Sequence, residues 1–412
     1  MDQMLAVKNK QNRRSVALIC ILFLTFAMTS DAVGSIIARV IGELHLTLTQ
    51  AGAFQYVPMA AIAFGAAALG GLADRFGRKA AIVGGLVLYG GSSLLFAFGH
   101  TFTFFVALLG LTGIGISVFK TGALALIGDL SHSGASHTAL MNAAEGFFGI
   151  GSIIGPAAVA ALIGAGLSWT WLYVGASVIC GLLILLAGSA RFPPIRIAGA
   201  ADASVPGEMG RAAALGILRD PLALGFSAML MLYVAVECAV YVWLPTYLQP
   251  YRGPARWLAL YALTIFFVLR ATGRFLGIWL LRHFSWHAVL AVCGLSVFGC
   301  FLGAVVGGVN VGIWLLPLSG LPMSIIYPTL NSKGISCFPR SAHGAAAGVL
   351  LFFTAVAAAL GPLAIGAISD AYGDIRVGFE FAAGLALLLS LALGLNWVFD
   401  PTRQRLAGLA TE

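Results

Sequence analysis

Charge is scarce in this chain. Of 412 residues, only 9% are Asp, Glu, Lys or Arg, where a soluble globular protein carries roughly 25%. That is too little to keep a chain that is 60% hydrophobic in water, and the mean hydropathy of +0.98 excludes a soluble enzyme, a disordered scaffold and a nucleic-acid module. Carboxylates are the rarer sign, 15 against 23 Lys and Arg, giving a net charge of +8. The cations form no basic face for a polynucleotide. They fall in short breaks between apolar runs, the placement that fixes membrane topology. Six cysteines, at 20, 180, 238, 293, 300 and 337, lack the spacing of an extracellular framework, so free thiols are expected. The histidines show no metal-ligand spacing and no G-x-x-x-x-G-K-[ST] phosphate loop occurs. No metal, no cofactor and no ATP-driven step are therefore expected. The Asn-x-Ser/Thr glycosylation acceptor is missing as well, which favours a bacterial inner membrane as the home of the chain.

What the chain has in quantity is long apolar runs. A helix crossing the hydrocarbon needs about 20 largely apolar residues. Twelve such runs occur, at 15–40, 50–73, 80–98, 103–128, 138–164, 169–190, 221–248, 256–281, 286–306, 309–330, 342–369 and 377–399. They are too long, and too little alternating, for barrel strands. The stretch 191–219, rich in Pro, Gly, Ala and charge, divides them six and six. The expected organisation is a first six-helix half over 1–190, a cytoplasmic linker over 191–219 and a second half over 220–412. The basic opening before the first run resembles a secretory signal, but the run exceeds a signal core and no small-residue cleavage site follows, so it reads as helix 1. With the N-terminus inside, sixteen Lys and Arg of the breaks face the cytoplasm and four (Arg39, Arg252, Arg256, Arg376) face outward. Both termini are expected to be cytoplasmic.

The halves echo each other. Gly155-Pro156 in helix 5 and Gly361-Pro362 in helix 11 are 206 positions apart, as are the single acids Asp31 of helix 1 and Glu237 of helix 7, and 206 is half of 412. Such a parallel repeat predicts two similar bundles with a binding site between them near mid-membrane.

The break after helix 2 reads GGLADRFGRKA. Gly71, Asp74, Arg75, Gly77, Arg78 and Lys79 match the loop motif G-x-x-x-D-R-x-G-R-K, and on it the chain resembles the major facilitator superfamily. The resemblance implies twelve transmembrane helices in two pseudo-symmetric halves. It also implies a gating latch at the cytoplasmic face, with Asp74 meeting the start of helix 11 near Ser341–Gly344 and Arg75 and Arg78 pairing with Asp129 below helix 4. An acid in a basic loop needs the positive end of a helix or a cation, which fits that role for Asp74. LYVAVECAVYVWLPTYL, RATGRFLGIWLLRHF, IIYPTLNSKG and NAAEGFFGIGSIIGP are similar to the fucose–galactose–glucose:proton symporter branch. That branch couples to an acid in helix 1, where this chain has Asp31. Its second acid lies in helix 4, where this chain has Lys120 instead. The antiporter motif of helix 5 is half present: Gly151-x-x-x-Gly155-Pro156 fits, whereas Asn142 and Val159-Ala160 replace glycines.

Ionisable residues inside a span cost about 2.5–3.5 kcal/mol each at the helix centre, so each calls for a reason. Asp31 lies sixteen residues into helix 1 and so roughly 24 Å along it, past the midplane. A carboxyl there, beside Thr25, Gly34 and Ser35, is a candidate proton carrier; the bland reading is an acid bonded to a neighbouring helix. Glu145 is the second proton-coupling candidate, and Lys120 is read as its ion-pair partner and as a gating residue. Glu237, framed by Tyr233 and Tyr241, suits a polyol, with rings against C–H faces and the carboxylate accepting hydroxyl hydrogens. Arg270 needs a partner among Asp31, Glu237 or an anionic substrate. Gln55, Tyr56 and Asn142 in the first half, and Tyr327 and Asn331 beside three prolines in helix 10, complete the candidate solute contacts; each is also explained by ordinary interhelical bonding. The expectation is a monomeric secondary transporter, not an enzyme, whose partners are a small polar solute, the proton and the lipid bilayer. Its solute is expected to be a sugar, bound between Glu237 and Arg270 and driven by proton symport. An organic-anion:proton symporter and proton-driven efflux of amphiphiles remain as alternatives.

Overall fold

The computed structural model describes residues 2–69, 75–131, 134–190, 192, 216–339, 342–403 and 405. Their regular structure is helical: α1 (Asp2–Ser30), α2 (Val33–Leu44), α3 (Leu48–Ala51), α4 (Ala53–Leu69), α5 (Arg78–Leu95), a 3-10 turn at Phe96–Phe98, α6 (Phe102–Leu130), α7 (Gly134–Gly164), α8 (Trp171–Ser189), α9 (Pro221–Leu248), α10 (Arg256–His283), α11 (Trp286–Leu318), α12 (Gly320–Ser336), α13 (His343–Tyr372) and α14 (Ile375–Phe399). Among the described residues, ten helices are long and apolar enough to cross a bilayer, the first being Arg13–Leu44, which joins α1 and α2. Two more, α4 and α12, have 17 residues each, at the short end of the roughly 17–25 that a crossing takes.

Three boundaries differ from the sequence expectation. Helix 1 is interrupted at Asp31-Ala32 and resumes at Val33. Thr25 donates to the carbonyl of Ile21 and Thr29 to that of Phe26; such back-bonding loosens a helix and here it directly precedes the break. Helix 2 starts at Ala53, after a separate turn, α3, capped by Thr47 in a capping box with Gln50. Within α11 two helices meet at a kink at Gly308 (φ 64°, ψ −164°), a conformation only glycine adopts readily, in the gap expected between the runs 286–306 and 309–330. The second run then continues as α12 beyond Ser319, a break that falls between Pro317 and Pro322, neither of which can donate a helical hydrogen bond.

Contacts divide the chain into two compact units, Met1–Leu46 with Ala53–Ile197, and Thr47–Gly52 with Ala198–Glu412. Most of the expected linker, 191–219, lies outside the described residues. In unit 1 the core runs from Leu18, Leu22 and Phe26 of α1 through Ile82 and Leu86 of α5 and Phe119 and Leu126 of α6 to Cys180 and Leu183 of α8. Helices α5 and α6 touch backbone to backbone: a Cβ on Gly85 would stand 2.5 Å from the amide nitrogen of Phe119. Such small-residue contacts let membrane helices associate where lipid supplies no hydrophobic drive. An aromatic cluster closes one end, with Phe96 stacked on Tyr173 at 4.0 Å and Trp169 donating to Glu43 at 3.0 Å.

In unit 2, α9 is the most enclosed helix, packed by α13, α14, α12 and α10. Trp243 donates to the carbonyl of Pro362, and Tyr247 to that of Ala304. The segment 47–52 belongs here because of Asp370 on α13, whose carboxylate accepts from the backbone N–H groups of Leu48 (2.8 Å) and Thr49 (2.7 Å).

Candidate functional site: two intramembrane carboxylates

Asp31 stands at the interruption of the first span, half-buried. Its Oδ2 accepts from the Ser152 hydroxyl of α7 at 2.6 Å and its Oδ1 from Ser30 at 3.1 Å. The glycine motif around Ser152 explains how α7 comes so near. A Cβ on Gly151 would lie 2.2 Å from the carbonyl oxygen of Leu24, and one on Gly155 2.0 Å from that of Met28. The half-motif read from the sequence therefore acts as a packing surface, and it delivers a hydroxyl to the acid three residues beyond Met28. Behind Ser30 lies a cavity of about 20 Å³, shared by Thr29, Gln55, Tyr89 and Thr112. It has room for a single water. The Thr29 and Tyr89 hydroxyls meet there at 2.7 Å.

Lys120 does not form the ion pair expected with Glu145. Its ammonium lies over the ring of Phe26, 4.8 Å from the centroid, and 5.9 Å from that of Phe23. The charges of Glu145 and Asp31 reach it only through space. The reason is its neighbour: α6 presents Lys120 to the aromatic face of α1, and a cation over a ring is satisfied electrostatically without a carboxylate. Glu145 and Asn142 are exposed, and Tyr56 is half-buried.

Of the ion pairs expected for a latch, one is present among the described residues. Arg78 Nε meets Asp129 Oδ2 at 3.0 Å, both side chains nearly buried, as the loop-motif resemblance implied. Arg75 lies over Phe76. Asp74 and Ser341 fall outside the described residues. Lys79 donates to the carbonyl of Gly188, and Arg14 reaches that of Ser189, two cations at the negative end of α8.

In unit 2, Glu237 and Arg270 are in direct contact, Oε1 to a guanidinium nitrogen at 2.7 Å, with side-chain exposures of 9% and 21%. The same oxygen accepts from Tyr233 at 2.7 Å, and that hydroxyl also reaches the carbonyl of Met323. Two sequence expectations change accordingly. No solute fits between Glu237 and Arg270, because charge attraction in a poorly hydrated interior closes the gap. Tyr233, fully buried, is a strut that orients the carboxylate and offers no ring face to a sugar. Tyr327 packs on the Tyr233 ring at 5.9 Å, and Tyr241 takes the Cys238 thiol hydrogen at 3.0 Å. Asn331 is half-buried on α12. Sequence reasoning overlooked Ser152 and Asp370. Ser152 had a signal, its place inside the glycine motif; Asp370 had none, since its partners are backbone amides more than 300 positions away.

A family model described as Major Facilitator Superfamily matches residues 19–356. The chain belongs to that superfamily and is a membrane-spanning transporter, not an enzyme. It is 27% identical over 396 residues to the L-fucose-proton symporter of Escherichia coli strain K12, covering 87% of each chain. It is 26% identical over 411 residues to the 4-hydroxybenzoate transporter PcaK of Pseudomonas putida, covering 91% of this chain and 89% of that one. Among solved structures, the nucleoside transporter NupG superposes with a TM-score of 0.73 at 17% identity, covering 93% of this chain and 98% of the other. That likeness carries the fold alone.

Proposed function

We propose that this chain is a proton-coupled symporter for a small neutral polar solute of the sugar class, working by alternating access. The reading includes twelve spans in halves 1–190 and 220–412 joined by 191–219, both termini in the cytoplasm, and a place in a bacterial inner membrane as a monomer. The observation that carries it is Asp31, a carboxylate at a break in a membrane span whose oxygens accept from hydroxyls. A proton entering on Asp31 neutralises the site, and a charge moving inward down 100 mV gains about 2.3 kcal/mol. Coupling requires the protonated and ionised forms to differ in their preference for the two access states. Glu145 is a second, more exposed carboxyl for the same task.

For the solute, unit 2 offers the Glu237–Arg270 pair, approached from one side, with Tyr241, Tyr327 and Asn331. Unit 1 offers Gln55, Tyr56 and Asn142. With Arg270 neutralised by Glu237, the pair can give and take hydroxyl hydrogen bonds without demanding a net charge, which favours a neutral polyol. The similarity to an L-fucose-proton symporter points the same way. Arg78, Asp129, Arg75, Asp74 and Lys120 are assigned to gating. A second reading, an aromatic or other organic acid carried with protons, has one observation in its favour, the match to a 4-hydroxybenzoate transporter over nearly the whole chain.

Proteoliposomes with an imposed inward proton gradient separate the two. Labelled L-fucose or another hexose accumulating, with labelled 4-hydroxybenzoate excluded, is the expected outcome. Accumulation of 4-hydroxybenzoate alone overturns the sugar reading.

A further inference from the structure

The reading of Asp31 as proton carrier leaves open how its protonation is felt by the rest of unit 1, and Ser152 answers that question. Its hydroxyl has one hydrogen and two acceptors in reach, Asp31 Oδ2 at 2.6 Å and the carbonyl of Phe148, one turn back on α7, at 3.1 Å. The residue is 3% exposed, so water does not compete for that hydrogen. It sits where α7 is pressed against α1, with Gly151 on the carbonyl of Leu24 and Gly155 on that of Met28.

We propose that Ser152 is a positioning residue that reports the protonation state of Asp31 to α7 by exchanging one hydrogen-bond acceptor for the other. The inference rests on the proton-carrier reading of Asp31. With the carboxylate ionised, Ser152 gives its hydrogen to Oδ2, and the charge-assisted bond, at the short distance typical of O–H···O⁻, clamps the broken span to α7. When a proton arrives on Oδ2, that oxygen becomes the donor. Two hydrogens cannot lie between the same two oxygens, so the serine hydrogen swings to the Phe148 carbonyl, which then serves two donors. No proton leaves Ser152 and none is created; the incoming one stays on Asp31. The bond between the helices changes from charge-assisted to neutral, roughly halving its strength, while the hydrogen bonding of α7 changes at Phe148.

The ionisable groups facing this pair from the elements packed on it are few. Lys120 on α6 acts on Asp31 through space, and Glu145 on α7 acts on Lys120. Tyr89 on α5 and Tyr173 on α8 are the phenols that line the cavity behind Ser30, and on α2 Arg39 is paired with Glu43. Ser152 is the residue that brings a hydroxyl to the carboxylate from the opposing helix. The second half has no equivalent: 206 positions on from Ser152 stands Ala358.

Infrared difference spectra of the full chain in proteoliposomes, recorded across a pH titration with protons as the only probe, test this without knowledge of the solute. The parent shows a carboxylic-acid carbonyl band that Asp31→Asn removes. Ser152→Ala is expected to shift that band to higher frequency and to raise its titration midpoint by about one pH unit, about tenfold in the proton affinity, because the ionised form loses its donor. Ser152→Cys, similar in shape with a weaker donor, is expected to shift both in the same direction by less. If Asp31→Asn removes the band but Ser152→Ala and Ser152→Cys leave band and midpoint at the parental values, the role of Ser152 is wrong and the proton-carrier reading stands. If Asp31→Asn leaves the band in place, the reading of Asp31 falls, and this inference with it.

Discussion

Asp31 and Glu237 occupy equivalent positions 206 residues apart, and the structure gives them similar scaffolds and opposite company. In each unit the glycine before the helix-5-type proline presses on the helix that carries the acid, Gly155 on Met28 and Gly361 on Ala235. Yet the span through Asp31 is interrupted, whereas α9 runs unbroken through Glu237. Asp31 accepts from serine hydroxyls; Glu237 accepts from a guanidinium and a phenol. One carboxyl is met by hydroxyl donors, the other by a guanidinium that compensates its charge. The repeat fixes where an acid can stand, and its neighbours decide what it can do there.

The contrast breaks first at Arg270. Removing one member of a buried pair strands the other, so Arg270→Ala is expected to cost about 3 kcal/mol of stability. Pairing it with Glu237→Gln should recover a good part, read by thermal unfolding in detergent. An equal loss in the single and double variants would show that the two do not depend on each other. Next comes the shared glycine contact, which is tighter in the first half. A Cβ at 155 would lie 2.0 Å from a carbonyl oxygen, and one at 361 lies 3.1 Å from the Ala235 Cα. Gly155→Ala should therefore cost about 3 kcal/mol and Gly361→Ala about 1 kcal/mol. The reverse order in the same unfolding measurement would contradict this packing.

The smallest effect lies outside the membrane spans. Burial alone would raise the carboxyl of Asp220, but hydrogen bonds from Arg405 and from the backbone of Leu222 and Ala223 outweigh it and hold that carboxyl below the usual carboxylate range. A depressed folded value stabilises above the unfolded pKa, near 3.9, and the contribution fades as pH falls through the folded value. Arg405→Ala should cost under about 1 kcal/mol at neutral pH, and the difference from the parent should vanish in acid.

Much of the fold was legible because membrane insertion writes itself in long apolar runs, and the basic loop motif carries its own order of Gly, Asp and Arg. The Arg78–Asp129 pair followed from that motif. The interruption at Asp31 was not legible, since an apolar run has the same composition whether or not its helix is continuous. Nor was the fate of Lys120, which depended on which helix face met Phe26 rather than on the spacing to Glu145. The Glu237–Arg270 contact was one of three partners open to Arg270, and only geometry chose among them.

The central claim is that Asp31 ties proton movement to solute movement while Glu237 does not carry the proton. Accumulation of labelled sugar in proteoliposomes under an imposed proton gradient, compared with counterflow at equal pH, measures this in a single preparation of Asp31→Asn. The account predicts that counterflow persists and gradient-driven accumulation is lost. Accumulation by Asp31→Asn to the parental level would contradict it.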